Sequence, residues 1–96
     1  MDIKIHSIHF DADQKLLDYI NDKVSKLSLF FDHIIVGEVF LRLDRSSEKE
    51  NKITEIKILI PGKELFAKKQ CKSFEESADL VVEALRKQIV KHKEKV

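Results

Sequence analysis

The chain opens with alternating polar and apolar residues. In "MDIKIHSIHF", Ile3 and Ile5 share one parity and Lys4 and His6 the other, the period-two pattern of a strand. Ile8 and Phe10 resume the alternation on the opposite parity, which predicts a bulge near Ser7. From about Asp13 the period lengthens to that of a helix. Leu16, Leu17, Ile20, Val24, Leu27 and Phe31 fall on one stripe, and Asp11 or Asp13 is placed to cap its start. "IIVGEVFLRL" returns to strand, with Val39, Leu41 and Leu43 alternating against Glu38, Phe40 and Arg42.

The polar run 44–51 reads as a loop, and "ITEIKILI" after it places Ile56, Ile58 and Ile60 on one face. Pro61-Gly62 is a turn signal leading into a fourth strand through Leu65 and Ala67. "SFEE" is a capping box, in which the Ser73 hydroxyl accepts from the backbone of Glu76 and the Glu76 carboxylate reaches back. Phe74, Ala78, Val81, Val82, Leu85 and Ile89 then supply the buried stripe of a second helix. The predicted order is β-α-β-β-β-α, an α+β fold. A helical crossover makes the first two strands parallel, and the last three form an antiparallel meander. Both helices cover one face of a four-stranded sheet, an arrangement like that of double-stranded-RNA-binding domains.

Ninety-six residues predict a single domain, 1–96, with one core. A lone cysteine, Cys71, excludes an internal disulfide and suits a reducing cytosol. Asp2 and Lys4 interrupt any signal-peptide pattern, and no apolar run approaches the roughly 20 residues of a membrane helix. The expectation is a soluble cytoplasmic protein with no membrane partner. Glycine-rich phosphate loops are missing, so no nucleotide cofactor or small-molecule substrate is expected.

Charge changes the picture. The whole chain carries +1, yet residues 86–96 hold five Lys or Arg against one acid, a local +4 that leaves the first 85 residues at −3. Once the second helix turns its apolar stripe inward, Lys87, Lys91 and Lys95 line up on its outer side, and Arg86 and Lys93 mark the opposite flank. Tyr19, Lys23, Lys26 and Phe30 occupy one flank of the first helix. Basic flanks interleaved with aromatics suit a phosphate backbone, with rings free to stack on bases or sugars. The competing reading of the same lysines is a solvated helix face. Their segregation, and the apolar stripe that holds them in a fixed array, favour polyphosphate. His92 lies near the apolar stripe, where a core-edge histidine and an RNA contact are equally good readings.

Other chemistry is poorly supported. His6 and His9 point to opposite faces of a strand, and no Cys or carboxylate spacing completes a metal site. Cys71 precedes a helix cap but reads as a passive small residue. Asp18, Asp22, Glu75, Glu76 and Glu83 fall on outward positions. No nucleophile, base and orienting group assemble, so no enzyme is expected.

"KVSKLSLFFDHI" (23–34) followed by "ALRKQIVKHKEK" (84–95) resembles the short bacterial ribosome hibernation promoting factors and the related ribosome-associated translation inhibitor. The shared features are a K-L-x-x-(F/Y)-F-D-x-I run at the end of a helix and R-Q-(L/I)-x-K-H-K-x-K at the end of the last one. They appear here as Lys26-Leu27, Phe30-Phe31-Asp32 and Ile34, and as Lys87-Gln88-Ile89, Lys91-His92-Lys93 and Lys95. Asp79 matches an acid common in that family, and the resemblance covers essentially the whole chain.

What it implies is a stationary-phase stress protein that occupies the mRNA and tRNA channel of the small ribosomal subunit, holds 16S rRNA, and inhibits translation by occupancy. The implied rRNA-binding residues are Lys23, Lys26, Arg86, Lys87, Lys91, His92 and Lys93. Tyr19, Phe30, Arg42, Lys68, Lys69 and Lys95 are secondary candidates. Ser73-Phe74-Glu75 departs from the Asp-x-Tyr of many relatives, which loses a tyrosine contact. The chain is expected to be the short form, which in relatives acts with a separate partner to pair 70S ribosomes into 100S dimers. A stand-alone double-stranded-RNA-binding module and a protein-interaction modulator of transcription, after the older sigma-54 label, are the competing readings.

Overall fold

A computed structural model describes residues 1–46 and 49–94, so Lys95 and two residues of the 44–51 connection lie outside the described residues. The alternating stretches become β1 (Asp2–Ser7), β2 (Val36–Leu43), β3 (Lys52–Ile60) and β4 (Lys63–Cys71). The helical stripes become α1 (Gln14–Ser25), extended by a 3-10 turn over Lys26–Leu29, and α2 (Phe74–Glu94). The sheet order is β1-β2-β3-β4. β1 pairs parallel to β2, while β2, β3 and β4 form the predicted antiparallel meander.

One face of the sheet and the inner stripes of both helices make the core. Val39, Leu41, Ile56, Ile58, Ile60 and Leu65 meet Ile20, Val24 and Leu27 from one side and Ala78, Val81, Leu85 and Ile89 from the other. Thr54 shares the inward parity of Ile56, and its hydroxyl lies 2.6 Å from that of Ser77 on α2, so this buried polar pair satisfies itself. Gly37 lies where α1 crosses the sheet. A Cβ there would come within 3.3 Å of side-chain atoms of Val24, Ile58 and Met1, so glycine lets helix and sheet approach without these neighbours giving way by a few tenths of an ångström. Gly62 has φ 75°, the positive value a type II turn demands after proline.

The caps follow the sequence. Asp13, not Asp11, caps α1, its Oδ1 accepting from the Leu16 N–H at 2.8 Å. Ser73 Oγ accepts from the Glu76 N–H at 3.1 Å at the start of α2, but among the described residues the Glu76 carboxylate makes no return bond to the Ser73 N–H, so only half of the capping box forms. Glu75 and Glu76 in its first turn and Lys91, His92 and Lys93 in its last complement the helix dipole.

Two expectations require correction. The bulge near Ser7 is not formed: the β1–β2 ladder is unbroken from Asp2 to Ser7, and the Ile8 N–H still reaches the Leu41 carbonyl at 2.9 Å. The change of parity arises because the chain leaves the sheet through His9, which has a left-handed φ of 63°. Phe10 can then stack on Phe74, with ring centroids 5.1 Å apart. The α1 stripe also ends before Phe31. The Ser25 and Ser28 hydroxyls bond back to the carbonyls of Asp22 and Ser25, and the helix tightens into its 3-10 turn. Phe31 packs on the core from the following loop. Among the described residues no helix is long and apolar enough to cross a membrane.

Candidate nucleic-acid interface

The seven-residue spacing of Arg86 and Lys93 puts both on the flank of α2 that faces the end of α1, and both converge on Phe30. The Arg86 guanidinium lies 5.8 Å from the Phe30 ring centroid. Lys93 Nζ donates to the Phe30 carbonyl at 2.8 Å. Phe30, 37% exposed, is therefore held by two cations and still open to solvent. Further up the same seam, Lys23 Nζ lies 5.5 Å from the Tyr19 ring centroid and 3.6 Å from Asp79 Oδ1 on α2. Lys26 Nζ pairs with Asp22 at 3.3 Å. The structure thus gathers Tyr19, Lys23, Phe30, Arg86 and Lys93 along the α1–α2 seam, with Lys26 at its end.

Lys87 and Lys91 occupy the other flank. Gln88 lies beside them on the helix, and its Nε2 donates to the Phe66 carbonyl of β4 at 2.8 Å. That bond fixes this flank against the edge strand. Lys69 has the helix-facing parity of Ala67 and Cys71 and is exposed at the same edge. Among the described residues Lys87 and Lys91, like Lys93, take part in no ion pair, although Lys87 lies near enough to Glu83 to help lower its carboxyl. The cations therefore bracket α2 on both sides.

Arg42 and Lys68 are elsewhere. Both reach Glu55 on the sheet face away from the helices, at 3.2 and 3.7 Å. His92 is half-buried with its ring edge-on to Phe31, centroids 5.9 Å apart, which combines a core contact with a partly open edge.

The acids near the seam matter as much as the bases. Hydrogen bonding to the Arg86 guanidinium holds the Glu83 carboxyl below its ordinary range, and the same bond raises Arg86. Asp79 accepts from Tyr19 and pairs with Lys23, a role that the resemblance did not assign. Its signal was present in the spacing: Asp79, Arg86 and Lys93 recur every seven residues on one flank.

Among the described residues no three His, Cys, Asp or Glu side chains cluster as a metal site. His6 instead bonds Glu38 at 2.9 Å and stacks on Phe40, while His9 lies beyond the strand. Burial pushes the Cys71 thiol up. What the arrangement can do chemically is bind a polyanion, with rings available for stacking.

A family model described as "Sigma 54 modulation protein / S30EA ribosomal protein" matches residues 3–96. Among curated relatives, the ribosome hibernation promoting factor of Azotobacter vinelandii is 28% identical over 95 residues, covering 99% of this chain and 85% of the relative. The ribosome hibernation promotion factor of Bacillus subtilis is 29% identical over 96 residues, which is all of this chain and 50% of that longer protein. A ribosomal subunit interface protein from Coxiella burnetii has the same fold, with a TM-score of 0.86 at 19% identity over 97% of this chain and 98% of that one. So does the N-terminal domain of Thermus thermophilus Protein Y, at 0.83 and 20% over 96% and 99%. With the family match spanning all but the first two residues, on a four-stranded, two-helix fold shared with those structures, this chain belongs to the Sigma 54 modulation protein / S30EA ribosomal protein family.

Proposed function

We propose that this protein is a cytoplasmic ribosome hibernation factor. It binds 16S rRNA in the mRNA and tRNA channel of the small ribosomal subunit and blocks translation by occupying that channel. The observation that carries this reading is the fixed array of cations on both flanks of α2, joined across the α1–α2 seam by Lys23 and the exposed ring of Phe30. Phosphate backbones reward such an array, because each neutralised phosphate releases condensed counterions. The names of the full-length relatives support the ribosome as the source of that phosphate. No reaction is required: the protein acts by mass action on inactive ribosomes, alone or with a separate dimerising partner.

The test is sedimentation of the protein with ribosomes across a salt series, beside equal amounts of free RNA duplex and of RNA polymerase. Salt-sensitive binding to ribosomes in preference to both is expected, together with suppressed synthesis in a purified translation system and competition by pre-bound tRNA. Equal binding to free duplex would favour a general double-stranded-RNA module, and preference for polymerase would favour a modulator of transcription. Uninhibited translation at saturating ribosome occupancy would remove the occupancy mechanism.

A further inference from the structure

At the end of the sheet where the parallel strands β1 and β2 both finish, Ile8, His9, Arg42, Leu43 and Arg45 enclose a cavity of about 250 Å³. A water takes about 30 Å³ in the liquid, so this volume holds a tetrahedral oxyanion with part of its hydration. Ile8 and Leu43 supply the apolar lining; Leu43 is left 40% exposed because the sheet ends beside it. The remaining lining residues all carry nitrogen donors.

Three features single out this cavity. Arg42 donates to Glu55 Oε2 at 3.2 Å, but its Nε–H is buried without an acceptor. A guanidinium has five donors, and an unmet buried one is costly. The compensating charge is thin, since Glu55 is shared with Lys68 at 3.7 Å. Asp44, next to Arg45 in sequence, is already engaged. It accepts from the Ser46 N–H at 3.0 Å, the Ser46 hydroxyl at 2.6 Å and Gln70 Nε2 at 2.9 Å.

The third feature is the backbone of His9, left-handed at φ 63°, which is uncommon outside glycine and tends to mark functional positions. His9 lines the cavity together with Arg42 and Arg45, whose planar guanidinium donors suit phosphate oxygens.

We infer that this cavity is a phosphate-binding pocket formed by His9, Arg42 and Arg45, filled in the ribosome complex by an RNA backbone phosphate outside the two-helix surface. The identity of that phosphate rests on the proposed ribosome binding; the pocket itself does not.

Two measurements on the full chain test this. In the first, amide and side-chain resonances are followed by NMR as inorganic phosphate, and separately adenosine monophosphate, is added at constant ionic strength set with sodium chloride. Saturable shifts confined to Ile8, His9, Arg42, Leu43 and Arg45 are expected, and they should vanish in a His9→Asn/Arg45→Gln variant. That variant should fold normally, because asparagine tolerates the left-handed backbone and Arg45 is exposed.

In the second, ribosome affinity of wild type and variant is compared across salt. The variant should bind several-fold more weakly at low salt, with a slope of log K against log salt shallower by roughly 0.7–0.9, one phosphate contact. A changed slope without shifts from small anions supports the pocket as one that takes only polymer phosphate. Shifts with an unchanged slope overturn the RNA assignment. The absence of both the shifts and a changed slope overturns the pocket. If the wild type fails to bind ribosomes, the proposed function falls and the phosphate titration alone decides the pocket.

Discussion

The Tyr19 hydroxyl lies 2.8 and 2.9 Å from the two carboxylate oxygens of Asp79, joining α1 to α2 across sixty residues of sequence. Lys23 closes the group from the same side at 3.6 Å. An acid thus stands inside the surface proposed to meet RNA. It orders Tyr19 and Lys23, and it opposes any phosphate that approaches them.

Asp79→Asn should therefore tighten ribosome binding several-fold at low salt and steepen the salt dependence by up to roughly 0.7–0.9, as Lys23 becomes free for phosphate. Isothermal binding measurements at three salt concentrations would read this. Weaker binding by the variant would show that ordering of Tyr19 by Asp79 outweighs the repulsion.

The same pair predicts an alkaline titration. The hydrogen bond to Asp79, then desolvation and the negative charges of Asp79 and Glu75, hold the Tyr19 phenol above its ordinary value. A raised folded value means the fold favours the protonated form. The linked stability is complete below the unfolded value near ~10 and is lost as pH rises through the folded one. Tyr19 is the only tyrosine and there is no tryptophan, so phenolate absorbance reports it alone. Asp79→Asn should bring the midpoint down toward the ordinary value; an unchanged midpoint would mean the bond does not persist in solution.

Most of the fold was legible because each element obeys its own period. Ile56, Ile58 and Ile60 alternate and are all buried, and Val81, Leu85 and Ile89 recur at helical spacing and are all buried. What escaped was set by contacts distant in sequence or by local backbone geometry. His9 mimics a bulge in the pattern because a left-handed residue and an inserted one shift parity alike. Phe31 continues the α1 spacing although two serine hydroxyls have already ended the helix. Spacing placed Lys23, Arg86 and Lys93 on outward flanks, but only the packed helices show that Asp79 and Phe30 tie them together. Arg42 and Lys68 look like further cations in the sequence, yet in the fold they share Glu55 on the opposite face.

Because cations bracket α2, reversal on either flank should hurt binding. Lys23→Glu with Lys26→Glu, and separately Lys87→Glu with Lys91→Glu, should each weaken ribosome binding on the order of tenfold through lost phosphate contacts and added repulsion. All four side chains are exposed or half-exposed, so thermal midpoints should change little. An effect confined to the second pair would reduce the interface to the α2–β4 flank and remove the seam from it.

Cys71, 6% exposed, has its thiol pushed up chiefly by burial, with the charges of Glu76 and Glu50 adding to the effect. Thiolate is the reactive form, so a disulfide reagent at neutral pH should label the native protein far more slowly than the urea-unfolded chain. The native rate should rise with sub-denaturing urea, as labelling waits on opening of the β4–α2 junction. Equal rates in native and unfolded protein would contradict the burial.

The salt dependence of ribosome binding probes the physical origin of the interface most directly. Six always-charged groups are available: Lys23, Lys26, Arg86, Lys87, Lys91 and Lys93. At roughly 0.7–0.9 per phosphate neutralised, and with some groups not in direct contact, log K should fall against log salt with a slope of about −3 to −5. The structure points to the shallow end of that range. Lys23, Lys26 and Arg86 are already paired with Asp79, Asp22 and Glu83, so they exchange a carboxylate for a phosphate and displace fewer condensed ions. Lys87 and Lys91, like Lys93, are in no ion pair among the described residues and should contribute more. Removing the paired acids one at a time should steepen the slope, whereas removing either of these lysines should flatten it. Binding that barely changes between low and moderate salt would mean that shape and apolar contact dominate, and the lysines would then be only a solvated face.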